Sequence, residues 1–211
     1  MTTDSPQVPR VESVVRIIAQ TCIENETYFG DLDSVVGDGD FGFSLARGFE
    51  NVLAAWDDYD RTDAGTFLQK VALTMSGRIG GTSGPIWGTA FLRAAGVVKG
   101  KSDATGEDVV AMLRAAVEGI KARGGADLGE KTLLDALAPM TDTIEQRLAA
   151  RAEPAEIAKA AAATARAAAE ATRPMQARRG RASYTGERSI GSLDPGAVAV
   201  AVLAERIAAT W

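Results

Sequence analysis

The stretch LDSVVGDGDFGFSLARGF, Leu32–Phe49, sets Asp33, Asp38 and Asp40 within eight positions and then turns into a helical pattern at Gly42. Gly37 and Gly39 flank Asp38. After the turn, Phe43, Ala46, Phe49 and Leu53 fall on one stripe, which predicts a helix from Gly42 to Trp56. Before it, Val11, Val14, Val15, Ile18 and Cys22 keep spacings of three and four, which predicts a helix from Val8 to about Tyr28. The acidic turn is thus a corner between two amphipathic helices.

The same period continues outward. Phe67, Val71 and Met75 mark a helix over Asp63–Gly77, and Pro85 opens another that runs to Val98. Thr105 and Asp108 have the spacing of a capping box before a helix that reaches about Ala122. Helices follow over Lys131–Ala149, over the alanine-rich PAEIAKAAAATARAAAEATR from Pro154, and from Pro195 to about Trp211. The alanines signal helix propensity and close packing. That makes eight helices and no convincing strand. Most connections are short, so neighbours are expected to be antiparallel. Three longer polar connections, 29–41, 76–84 and 174–194, hold the glycines of interest.

Composition narrows the function. Apolar residues make up 46% of the 211 residues, which excludes a disordered chain, and one domain over 1–211 is expected. The net charge of −5, without a long basic run, argues against nucleic-acid binding. No signal peptide or membrane-length apolar run is present, so no membrane association and a cytoplasmic location are expected. The single cysteine, Cys22, reads as a small core residue. There is no histidine, so any chemistry that needs one must come from another chain.

Three segments can carry chemistry. Three carboxylates converging at about 5 Å would repel by roughly 10 kcal/mol in total at an effective dielectric near 20. Convergence therefore requires cations, and carboxylate oxygens suit magnesium; the alternative is a splayed, solvated turn. The second segment, GRIGGTSGP (Gly77–Pro85), places Thr82 and Ser83 on a flexible backbone at a helix start. Such a start favours phosphate, although glycine and serine before proline are also ordinary loop punctuation. The third, QARRGRASYTGERSIGSLDPGA (Gln176–Ala197), carries Arg178, Arg179, Arg181 and Arg188 and ends on Asp194, Pro195 and Gly196 at a helix start. Its arginines can neutralise a polyphosphate or pair with the acidic surface. Neither the P-loop pattern nor the Rossmann fingerprint occurs.

The stretches GDGDFGFSLARGF, GGTSGPIWGTAFLRAA, RGGADLGEKT and MQARRGRASYTGERSIGSLDPGA, in this order, closely resemble the DhaL family, the nucleotide-binding subunits of bacterial dihydroxyacetone kinases. The last stretch is long and the most specific. The resemblance implies an all-α fold, an eight-helix antiparallel up-and-down barrel with ADP or ATP at one end. It implies two magnesium ions on Asp33, Asp38 and Asp40. Nucleotide contacts are implied at Phe41, Gly42, Phe43, Ser44, Thr82, Ser83, Gly124, Leu133, Arg181, Asp194, Pro195 and Gly196, with Arg181 also steadying the transferring group. One departure stands out. The family commonly has histidine where this chain has Phe41, so nucleotide affinity or exchange is expected to differ.

The resemblance also implies partners. A separate K subunit would hold the ketose through a histidine, which fits a chain that has none. A phosphotransferase-system M subunit would recharge bound ADP, or ATP would exchange freely. The ketose would be dihydroxyacetone or a related tetrose such as erythrulose. Two rival readings are a nucleotide-loaded module that docks on a transcription regulator, and a helical bundle with no ligand.

Overall fold

The computed structural model describes residues 8–78, 83–101 and 104–211. Among them are nine α-helices: α1 (Val8–Glu24), α2 (Glu26–Ser34), α3 (Phe41–Ala54), α4 (Ala64–Arg78), α5 (Ser83–Val98), α6 (Gly106–Gly124), α7 (Leu134–Ala149), α8 (Pro154–Ala171) and α9 (Pro195–Thr210). Short 3₁₀ stretches over Trp56–Asp58 and over Arg181–Ser189, the latter broken at Gly186, complete the described secondary structure.

The ninth helix comes from a break in the first. The Asn25 side-chain amide donates to the Thr21 carbonyl at 2.8 Å, alongside its own backbone N–H at 3.1 Å. A side chain competing for a backbone acceptor interrupts the helix. The Asn25 carbonyl then accepts from the Phe29 N–H at 2.9 Å, and the helix resumes as α2. So the segment expected to be loop from residue 29 is helical up to Ser34. With α1 and α2 as one kinked strut, the barrel has eight staves.

Each stave packs on the next, from α1 through α3, α4, α5, α6, α7, α8 and α9 and back to α1. The ring encloses a core that includes Phe29, Leu45, Phe49, Phe67, Met75, Ile120 and Leu134, all fully buried. On α8, Ala161, Ala165 and Ala169 face inward at i, i+4 and i+8, so small side chains let α8 sit close to α7 and α9. Cys22 is wholly buried among these apolar groups, and burial pushes its thiol pKa far up.

Up-and-down order sorts the connections between two ends. Residues 55–63, 99–101, 104–105 and 150–153 close one end. Residues 35–40, the end of α4 with the start of α5, 125–133 and 172–194 lie at the other. Helices α3, α5, α7 and α9 all start at this second end, so their unsatisfied N–H groups and positive dipole ends converge there.

Candidate functional site at the open end

The acidic turn is built by two glycines, each with its own reason. A Cβ on Gly37 would sit 2.2 Å from the Asp33 carboxylate, so only glycine lets the turn fold over that side chain. Gly39 has φ +76°, a conformation that L side chains rarely adopt. A third glycine, Gly42, brings α3 against α2: its Cβ would meet the Glu26 carbonyl oxygen at 2.0 Å. The result gathers Asp33, at the end of α2, with Asp38 and Asp40 on the turn. One carboxylate oxygen from each lies within 4.8 Å of the others.

One cation answers them among the described residues. The Arg181 guanidinium bonds Asp38 Oδ2 and reaches Asp40 Oδ2 at 2.7 Å. That hydrogen bond holds the Asp38 carboxyl below the usual carboxylate range and raises the arginine in turn. Asp33 behaves differently. Burial raises its pKa, the Phe41 N–H at 3.4 Å opposes the rise, and the charge of Asp38 adds to it. Three carboxylates and one guanidinium leave a surplus of two negative charges. The hard oxygen set and this surplus fit divalent magnesium.

The arginine segment is tied down from 124–133. Glu130 binds Arg179 through both oxygens at 2.7 and 3.0 Å, and its carbonyl accepts the Arg178 N–H at 3.0 Å. Lys131 is buried, and its ammonium donates to the carbonyls of Met175, Ser189 and Ser192. The Asp135 carboxylate takes the N–H groups of Gly129 and Thr132 on either side of it. The sequence reading passed over Lys131 and Asp135; their signal was the GEKT run followed by an acid three residues on.

The remaining expected nucleotide contacts divide. Gly42 and Ser44 are buried at the start of α3, and Ser83 starts α5. A Cβ on Gly124 would sit 3.2 Å from the Ile86 side chain, so the end of α6 meets the first turns of α5. Leu133 lies beside Gly196, where an added Cβ would come within 3.2 Å. Pro195 begins α9, and Asp194 caps it by accepting the Ala197 N–H at 2.7 Å. Burial raises the Asp194 carboxyl pKa against that bond, and the nearby Asp135 charge adds to the rise. The half-buried Phe41 ring packs 6.1 Å from that of Phe29 against the core, and its only hydrogen-bonding groups are those of the backbone. Phe43 is exposed beneath the Arg47 guanidinium, 5.3 Å from its ring centroid. Thr82 lies outside the described residues.

The DAK2 domain family matches residues 35–209 of this helical barrel. The chain belongs to that family, and within it to the DhaL group. It is 37% identical over 181 residues to the PEP-dependent dihydroxyacetone kinase ADP-binding subunit DhaL of Escherichia coli, covering 86% of each chain. It is 38% identical over 195 residues to the L-erythrulose 1-kinase of Mycolicibacterium smegmatis, covering 92% of this chain but 34% of that protein. The crystal structure of the dihydroxyacetone kinase from C. freundii in complex with AMP-PNP and Mg2+ superposes with a TM-score of 0.75 at 25% identity, over 96% of this chain and 34% of that one.

Proposed function

We propose that this chain is the nucleotide-binding, phosphoryl-donor subunit of a dihydroxyacetone kinase, a phosphotransferase subunit active only with a K subunit that holds the ketose. The observation that carries the reading is the meeting of Asp33, Asp38, Asp40 and Arg181 where four helices begin. In this reading residues 1–211 form one cytoplasmic nucleotide-binding domain. No helix among the described residues is long and apolar enough to cross a membrane.

Asp33, Asp38 and Asp40 would hold two magnesium ions. Bound there, magnesium would neutralise polyphosphate charge. The chain's own groups do the rest. Backbone N–H groups at the starts of α3, α5 and α9, with the hydroxyls of Ser44, Thr82 and Ser83, bind and orient the phosphates. Gly124, Leu133 and Gly196 shape the space for the nucleoside. Arg181 exchanges its carboxylate partners for phosphoryl oxygens and stabilises the transferring group. Phosphoryl transfer is mainly positioning and charge neutralisation, so this chain needs no histidine base. The acceptor hydroxyl loses its proton on the partner's side.

The partner would dock at the same end. Val35, Leu128, Tyr184 and Ile190 on its connections and Phe43 in the first turn of α3 are exposed, five of the ten exposed large apolar residues among those described. Exposed apolar residues gathered in this way mark an interaction surface. Recharging of bound ADP by a phosphotransferase-system M subunit matches the PEP-dependent relative's name. Similar identity to an erythrulose kinase keeps short tetroses among the substrates, chosen by the K subunit. Docking of the loaded form on a transcription regulator would use the same surface.

The test is reconstitution. The pure chain with Mg-ATP and dihydroxyacetone should show no turnover, and a K subunit should restore it. Turnover by the chain alone, or none with any K subunit despite nucleotide binding, contradicts the assignment.

A further inference from the structure

We infer that Lys131 is a positioning residue: its buried ammonium draws together both ends of the arginine-bearing segment and so sets Arg181 over the carboxylates. The inference rests on the function proposed above for what Arg181 does, but not for what Lys131 holds.

Lys131 is only 3% exposed, and its Nζ bonds no carboxylate, although the charge of Asp194 acts on it from beyond ion-pair distance. Its three N–H donors go instead to three carbonyls, those of Met175 at 3.1 Å, Ser189 at 2.6 Å and Ser192 at 2.7 Å. An ammonium has three donors, so its bonding capacity is filled. Burying a charge is costly unless hydrogen bonds compensate, so an apolar side chain would have served if filling space were the only role.

The acceptors identify the role. Met175 lies before the arginine-bearing loop, and Ser189 and Ser192 lie at its far end. Between them run Arg178, Arg179, Arg181 and the left-handed Gly180 and Gly186. One atom thus pins the base of a loop whose tip reaches Asp38 and Asp40 across the end of the barrel. Two further bonds tighten the base: the Ala177 N–H donates to Ser189 Oγ at 2.9 Å, and the Gly191 N–H to the Arg173 carbonyl at 2.8 Å.

The lysine is itself held in an uncommon backbone state. Its φ is +62°, one of two positive values at non-glycine residues among those described. Such conformations persist where surrounding bonds over-determine them. Here Asp135 supplies those bonds, accepting the Gly129 N–H at 2.5 Å and the Thr132 N–H at 2.8 Å. The start of α7 therefore fixes the lysine, and the lysine fixes the loop. Asp194 has a separate tether, its N–H donating to Thr172 Oγ1 at 3.0 Å, so the start of α9 does not depend on Lys131 alone.

The experiment combines hydrogen exchange on the full chain with a double-mutant cycle on turnover with a K subunit. In Lys131→Met, amides of 177–190 should exchange at least about tenfold faster while the staves keep their protection. Turnover should fall towards that of Arg181→Ala, and the double variant should lie within about threefold of Arg181→Ala alone, because the two act as a unit. The Kd for Mg-ADP should move much less than turnover. Unchanged exchange overturns the inference. Faster exchange with fully additive losses in turnover also overturns it, reducing Lys131 to a fold-stabilising residue. If Lys131→Met does not fold, Lys131→Gln, which keeps two donors, takes its place with the same criteria. If the wild-type chain neither binds Mg-ADP nor supports turnover, the functional reading fails and the exchange result alone decides whether Lys131 seats the loop.

Discussion

The two ends of the barrel solve the same problem in opposite ways. At the closed end, caps and turns are satisfied by near neighbours, while side-chain pairs such as Arg61–Glu12 and Lys99–Gln69 tie the staves together. Thr105 and Asp108 form a reciprocal capping box, Asp63 accepts from the Thr66 N–H at 2.8 Å, and Pro154 starts α8 where its missing N–H costs nothing. Arg61 finds the carbonyls of Trp56 and Tyr59 a few residues away. At the open end, partners come from far along the chain. Arg181 bonds Asp38 from 143 positions away, and Lys131 reaches Ser189 across 58. Local bonds stop helices cheaply. Distant ones that gather like charges, or bury a charge, do so at a cost in repulsion and desolvation that a bound ligand would offset.

If that contrast is right, substitutions at the open end should act on function and those at the closed end on stability. The largest effect is expected from Arg181→Ala: turnover with a K subunit should fall by about 10²–10³-fold, as for the loss of one transition-state donor, with a much smaller change in nucleotide affinity. Steady-state kinetics and calorimetry together check it, and a loss in affinity as large as that in turnover would break the distinction. Next comes Phe41→His, which removes the ring that packs on Phe29. It should cost roughly 1–2 kcal/mol in stability and measurably alter nucleotide affinity. If denaturant midpoint and affinity both stay put, position 41 plays neither role.

The closed end gives smaller, purely structural effects. Thr105→Ala should cost about 1 kcal/mol and lower the melting temperature by about 2–4 °C, with Mg-ADP affinity unchanged. Smaller still is the pH signature of Asp63. Burial raises its pKa, but the N–H and hydroxyl of Thr66, with the N–H groups of Gly100 and Gly65, together more than offset this and leave it below the usual value. A carboxyl with a lowered folded pKa stabilises the fold above its unfolded value, about 3.9, and loses that contribution as pH falls through the folded value. The difference in urea midpoint between wild type and Asp63→Asn should therefore be constant above about pH 5 and shrink on acidification. A difference that grew in acid would contradict the sign. No effect at all is expected from thiol reagents on the native chain, because Cys22 is fully buried; labelling before unfolding would mean the core opens.

The same contrast explains what the sequence disclosed. Every stave was legible, some from apolar spacing and others from a proline, the Thr105–Asp108 cap or alanine richness, because those signals are local. The break at Asn25 was not, since it depends on which acceptor an amide chooses. The acidic turn announced its residues, but Asp33 was expected in a loop and sits in the last turn of α2. The basic segment announced its arginines without saying which one reaches the acids. Lys131 could not be singled out, because its three acceptors are backbone carbonyls that carry no residue signature. Phe41 showed as a departure, yet its burial against Phe29 required the crossing of α2 and α3 at Gly42.

The most direct test is calorimetric titration of ADP into the chain, with magnesium and with chelator, for wild type and for Asp38→Asn. The account predicts binding to wild type only with magnesium, and a loss in affinity of at least about 100-fold in the variant, whose fold by circular dichroism is intact. Equal binding with chelator, or undiminished binding by the variant, would show that the three carboxylates do not hold the cations that grip the nucleotide.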